Sequence, residues 1–275
     1  MEGIRQAGES LGLLEIPRAA RPRVWLWPNL ISLDAPVVAV LWQMFFARCF
    51  GVRIDFTLAA LLMLSVWLIY VADRVLDAHR RPSGIARHQF YELHWRAFAP
   101  FWIAALLAAA WLALTRITPA IFKDGIALMA AILMYFAIVH ILAPRRKWPK
   151  ELAVAVLFTL GASLIVWRQV RTATDAAIIV LFGALCWINC AAIERWEGRS
   201  LTACPVREAS ILVGLAALVF LYDRRPIVAG AETASAFAFV LLDRAKDRLS
   251  ADALRVLADV ALLTPLLFLP ITGLR

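Results

Sequence analysis

Residues 70–77 read YVADRVLD and residues 190–197 read CAAIERWE. Each stretch carries an acid, an arginine directly after it and a second acid within one turn: Asp73, Arg74 and Asp77 in the first, Glu194, Arg195 and Glu197 in the second. On a helix Tyr70, Asp73 and Asp77 share one face while Arg74 points about 100° away, and Glu194 and Glu197 share a face in the same manner. Carboxylates that close together repel unless a cation or a basic environment holds both ionised. Their hard oxygens suit Mg²⁺, which is commonly held by one or two carboxylates together with phosphate oxygens. Two such acidic pairs facing each other could clamp a diphosphate through bridging Mg²⁺ and neutralise the charge that builds as it departs. The plainer alternative is that both helices simply end here, with the acids in water and paired to neighbouring arginines.

The elements that must position these residues are membrane helices. Of the 275 residues 63% are hydrophobic and the mean hydropathy is +0.75, far above a soluble domain. Apolar stretches long enough to cross a hydrocarbon core recur along the chain, and unpaired backbone groups are too costly in lipid for any open sheet. The pattern predicts an all-α, polytopic membrane protein of about nine transmembrane helices around a central cavity, at 29–47, 56–77, 97–115, 125–143, 151–167, 176–194, 209–222, 226–242 and 253–270. Residues 1–28 lack the apolar core and cleavage site of a signal peptide. They read as a cytoplasmic or interfacial arm, with Trp25 and Trp27 at headgroup level, and 29–275 as one transmembrane domain.

Charge sets the expected orientation. About two thirds of the 29 Lys and Arg residues fall on segments that are cytoplasmic if the N-terminus is inside, which predicts N-in and C-out in a bacterial-type inner membrane. The net charge of +9 then belongs to loops facing anionic lipid or an anionic substrate, and no nucleic-acid partner is expected. Even-numbered spans exit on the cytoplasmic side, so both acidic pairs face the same leaflet.

The paired motifs resemble those of the UbiA superfamily of intramembrane prenyltransferases. ADRVLDAH is similar to the first aspartate-rich motif, NDxxDxxxD at the end of the second helix, and CAAIERWEG to the second, a YAxxDRxxD-like stretch at the end of the sixth. The order, the intervening helices and the shared face extend the resemblance over essentially the whole chain. It implies an Mg²⁺-dependent transfer of a prenyl group from a prenyl diphosphate to an acceptor that no residue identifies, with Asp73, Asp77, Glu194 and Glu197 as metal-holding catalytic residues. Ile69 and Tyr70 stand where the family has Asn and Asp, and glutamates replace the aspartates of the second motif. Two potential ligands are thereby missing, and a phenol is a poor substitute. APRRKWPKEL resembles the basic loop that meets the diphosphate, which implies phosphate contacts for Lys147 and Lys150, with Arg145 and Arg146 as alternatives.

The remaining candidates for substrate binding are Tyr70, Arg74, Arg195, Asn189 and Asp34. Asp34 falls inside the first span beside Pro36, which would kink the helix. Asn189, His140 and Gln43 are expected as interhelical hydrogen bonders, and Arg255 and Asp259, four apart, as a local pair. His88 and His94 lie on a segment expected to form a separate short helix capping the cavity. The four cysteines are expected as free thiols. The small residues of FTLGAS predict close helix packing. The alternative function is a non-catalytic transporter or lipid-binding protein that keeps the fold without the chemistry.

Overall fold

The computed structural model describes residues 24–80, 86–142, 150–198 and 205–269, with the side chains of 78–94 and of 142 excluded. The described residues are helical and include no strand. The principal helices are α1 (Asp34–Cys49), α2 (Phe56–Arg80), α3 (Ala86–Thr115), α4 (Pro119–Phe136), α5 (Lys150–Ser163), α6 (Ala173–Trp196), α7 (Val206–Tyr222), α8 (Pro226–Ala245) and α9 (Ala251–Ala261). Among the described residues six segments are long and apolar enough to cross a membrane: Phe56–Asp77, Trp95–Thr115, Pro119–Ile141, Lys150–Gln169, Ala173–Trp196 and Pro226–Arg248. A seventh exists if the bent pair Val24–Leu30 and Asp34–Cys49 is one span. Large apolar side chains such as Phe101, Leu107, Leu114 and Leu212 are more than half exposed on the outside of the bundle, as expected where the solvent is lipid.

Several helices start and stop for visible reasons. The chain bends by 75° before α1, where Ser32 adopts a left-handed φ of 61°. Pro36 therefore sits in the first turn of α1, where its missing N–H costs nothing, and the expected kink within the helix is replaced by this break. Thr172 caps α6 in a reciprocal box with Asp175, and Arg225 reaches Asp175 Oδ1 at 2.7 Å to tie the starts of α6 and α8 together. The segment holding His88 and His94 is no separate cap: it is the first part of α3, continuous through Pro100 to Thr115. The stretch expected as a ninth span is α9, 11 residues long, then a break at 262–264 and a turn at Pro265–Phe268. Pro265 cannot donate a helical hydrogen bond to the residues before it, while Thr264 donates to Ala231 O at 2.9 Å and contacts Ser235 Oγ at 2.7 Å, pinning the break to α8.

The core lies where α1, α6, α8 and α9 converge. Trp42, Phe45, Phe46 and Phe182 are fully buried, with the rings of Trp42 and Phe182 stacked at 4.2 Å. Trp42 Nε1 donates to Leu262 O at 2.8 Å, which fixes the end of α9 against α1. Buried indole N–H groups need such partners, and Trp67 and Trp102 follow suit, donating to Ile31 O and Leu68 O at 3.0 Å. Of the small residues in FTLGAS, Thr159 makes the close contact: a side chain on Gly183 of α6 would meet Thr159 Oγ1 at 3.2 Å. Gly161 faces a cavity instead. Cys49, Cys186 and Cys190 are free thiols, and Cys204 lies outside the described residues.

Candidate functional site: a polar cavity beside an apolar one

The ends of α2, α4 and α6 and the starts of α1 and α5 meet at one end of the bundle. Their side chains, with those of α9, line a cavity of about 240 Å³ that holds Asp34, Asp73, Arg74, Asp77, Lys150, Glu151, Asn189, Glu194, Arg255 and Asp259. The helical spacing of the first motif sorts its side chains as expected. Asp73 Oδ1 lies 3.2 Å from His140 Nε2, and Asp77 Oδ2 accepts from Lys150 Nζ at 3.2 Å. Arg74, on the other face, turns to α1: its guanidinium is 3.6 Å from Asp34 Oδ2 and donates to Asn29 O.

His140 comes from a π-helical turn, Ala137–Leu142, that follows α4 directly. Such a turn widens the backbone and re-aims side chains, and π-turns are frequent at functional sites. One ligand atom each from Asp73, Asp77 and His140 lies within 4.8 Å of the others. That donor set, two carboxylates and an imidazole, fits a divalent cation. A nitrogen ligand shifts preference from Mg²⁺ toward Mn²⁺ or Zn²⁺. Lys150 already supplies positive charge to Asp77, so a cation there competes with an ammonium group.

The second motif is divided. Glu194 lines the cavity wall on α6. Glu197 follows the last helical residue, as the C-cap, and its buried carboxylate pairs with Arg255. Glu197 is held by Arg255 of α9 and does not line the chamber with Glu194. Arg255 also reaches Asp252 Oδ1 at 3.4 Å within α9, and Asp259 accepts from Asn189 Nδ2 of α6 at 3.0 Å, so the expected Arg255–Asp259 pair gives way to other partners for both. Arg195 is exposed and outside the cavity lining. Lys147, Arg145 and Arg146 lie outside the described residues, as do the side chains of His88 and His94.

Beyond Ile69, Tyr70, Tyr135, Val154 and Phe158 a second cavity of about 270 Å³ begins, sharing those five residues as its wall. Its lining is otherwise almost wholly apolar, including Leu62, Ile121, Leu128, Met129, Leu157 and Ile165 from α2, α4 and α5 and the turn after α5. Gly125 also lines it, with open space where a side chain would go. Tyr70 thus stands between a charged chamber and an apolar one. His140 and Asp259 are the site residues that spacing underweighted: a lone histidine in an apolar run points to no partner, and Asp259 points by spacing to Arg255 and not to the chamber; only the π-turn and the fold bring them in. Compared with known families, with curated proteins and with solved structures, the chain matches none.

Proposed function

We propose that this chain is an intramembrane prenyltransferase of UbiA type, which moves a prenyl group from a prenyl diphosphate to an acceptor within the bilayer. The observation that carries the proposal is the adjacency of the two cavities. A charged chamber with Lys150 and the Asp73–Asp77–His140 donor set adjoins an apolar chamber across a wall of Tyr70, Tyr135 and Phe158. An amphiphile with an anionic head and a long hydrocarbon tail matches that division. The membrane placement proposed with it is nine passes counting the broken and short segments, N-terminus and charged chamber on the cytoplasmic side, C-terminus outside, in a bacterial-type inner membrane.

In this reading Asp73, Asp77 and His140 hold a divalent cation, Mg²⁺ or Mn²⁺, with Glu194 on the facing wall. When bound, such an ion screens negative charge on a departing diphosphate. Lys150 adds a point charge beside the same oxygens. Arg74, committed to Asp34, positions α2 against α1. The rings of Tyr70 and Phe158 present π-faces to an allylic carbon that gains positive charge as the carbon–oxygen bond weakens, and the apolar walls keep water from that carbon.

A second reading has one observation in its favour. Asp73 and Asp77 already have partners in His140 and Lys150, so a binding or transport protein could hold the same cavities without a metal. Purified protein incubated with farnesyl diphosphate and Mg²⁺ or Mn²⁺ in native lipid separates the two. The enzyme reading expects ion-dependent release of diphosphate and a prenylated product by mass, with Asp73→Asn lowering turnover at least about 100-fold. Binding without release, equal in wild type and variant, favours the second reading.

A further inference from the structure

Two polar side chains interrupt the wall of the apolar chamber. Gln43 of α1 and Ser65 of α2 both line it, and neither lines the charged one. Gln43 is only 3% exposed, and its Oε1 has no hydrogen-bond partner. The interhelical bond expected of Gln43 is therefore not made through its oxygen. Unfilled buried acceptors are rare, because an amide oxygen taken out of water without a donor costs free energy. A methionine would fill nearly the same volume without that cost. Ser65 adds a half-buried hydroxyl to the same wall.

The helices bring these two groups to one level. Arg74 of α2 meets Asp34 of α1 at 3.6 Å on the wall of the charged chamber. Gln43 follows Asp34 by nine residues along α1, and Ser65 precedes Arg74 by nine along α2. Between them Ala35 and Ala39 pack with Val66, so the antiparallel register holds. Both polar groups thus stand about 13 Å along the bundle from the Asp34–Arg74 pair. A plain hydrocarbon chain in the chamber leaves Gln43 Oε1 unanswered. The missing partner is a donor, and a hydroxyl supplies one while its own oxygen accepts from Ser65. A ketone or an ether only accepts and leaves the amide oxygen as it was.

We propose that Gln43 and Ser65 read a hydroxyl carried on the hydrocarbon part of the ligand, so that the chain taken into the apolar chamber is a hydroxylated prenyl chain. The inference rests on the prenyltransferase reading for the place of the diphosphate head. With that head beside Asp73 and Lys150, a hydroxyl at the far end of an extended three-isoprene chain comes to the level of Gln43. Gln43 and Ser65 are specificity residues: they choose the chain and take no part in breaking its bond to the diphosphate.

The test compares farnesyl diphosphate with ω-hydroxyfarnesyl diphosphate, which differs only by a hydroxyl on its terminal methyl, by titration calorimetry on the full chain in nanodiscs with Mg²⁺. The wild type should prefer the hydroxylated ligand by about tenfold, since a site built for a hydroxyl rejects the analogue without it. Gln43→Met should bring that ratio to within about twofold by weakening the hydroxylated ligand alone, and Ser65→Ala should lower it about threefold. If Gln43→Met does not fold, Gln43→Asn, which draws the amide back by one methylene, is read in its place. Equal binding of the two ligands by the wild type, the result if water alone satisfies Gln43, overturns the proposal, as does an undiminished preference in the folded variant. If the wild type takes neither diphosphate, ω-hydroxyfarnesol and farnesol are compared instead. A preference there that the Gln43 variant removes keeps the hydroxyl site and strikes the prenyltransferase reading alone, whereas no preference overturns both. The expected preference without any release of diphosphate likewise strikes only the prenyltransferase reading.

Discussion

Glu232 is a buried acid outside both chambers. It sits in the middle of α8, fully buried, and neither carboxyl oxygen has a hydrogen-bond partner. It lines neither cavity. An unpaired acid in such a place costs free energy that an apolar side chain of similar volume does not. Replacing Glu232 by Met should therefore raise the thermal midpoint in detergent, by an amount equivalent to about 1–3 kcal/mol, and leave farnesyl diphosphate binding as it was. A lower midpoint would mean that Glu232 has a stabilising partner after all. The contrast with Asp73, Asp77 and Asp34 is instructive: those acids each face a base, an arginine or an amide, and all three line the charged chamber.

At the scale of the element, the division of labour between α2, α4 and α5 makes the tail chamber testable. Gly125 lies on α4, and a Cβ added there would meet nothing within 4 Å, so a larger residue takes space from the apolar cavity and not from packing. Gly125→Leu should fold normally and shorten the longest prenyl diphosphate accepted by about one isoprene unit, read as product mass over a series of chain lengths. An unchanged chain-length limit would place the tail elsewhere. Much of this element level was legible in the sequence. The apolar runs marked the helices, and the spacing of Tyr70, Asp73 and Asp77 placed the two acids apart from Arg74, as their separate partners show. What the sequence hid was set by tertiary contact. Glu197 looks like the helical companion of Glu194, yet Arg255 from α9 captures it. His140 depends on a π-turn that no local pattern announces, and α9 stops at 11 residues because the segment after it is pinned to α8 by Thr264.

For the whole molecule, the central question is which end of the bundle faces the cytoplasm. Asp223 and Asp247 are exposed at opposite ends of α8, a helix of 20 residues and so about 30 Å long. Single cysteines placed at these positions in a cysteine-free background should label from opposite sides, with Asp247→Cys reached only from the cytoplasm. Reversed labelling would invert the charged chamber, and same-side labelling would remove α8 from the set of spans. Orientation matters to the proposed chemistry because a diphosphate head is soluble in cytoplasm and its tail in lipid, so the proposal requires the charged chamber to open where the head can enter.

The most direct test of the two-chamber account is to map where a prenyl diphosphate lies. A farnesyl diphosphate analogue with a diazirine at the far end of its tail, photolysed on the protein in nanodiscs with Mg²⁺ or Mn²⁺ and mapped by mass spectrometry, reports the tail position residue by residue. The account predicts adducts on Leu128, Met129 or Ile165 of the apolar chamber, suppressed by excess farnesyl diphosphate and by Asp73→Asn, Asp77→Asn or Lys150→Met. Adducts confined to lipid-facing residues such as Leu107, Leu114 and Leu212, or adducts indifferent to those substitutions, would contradict it.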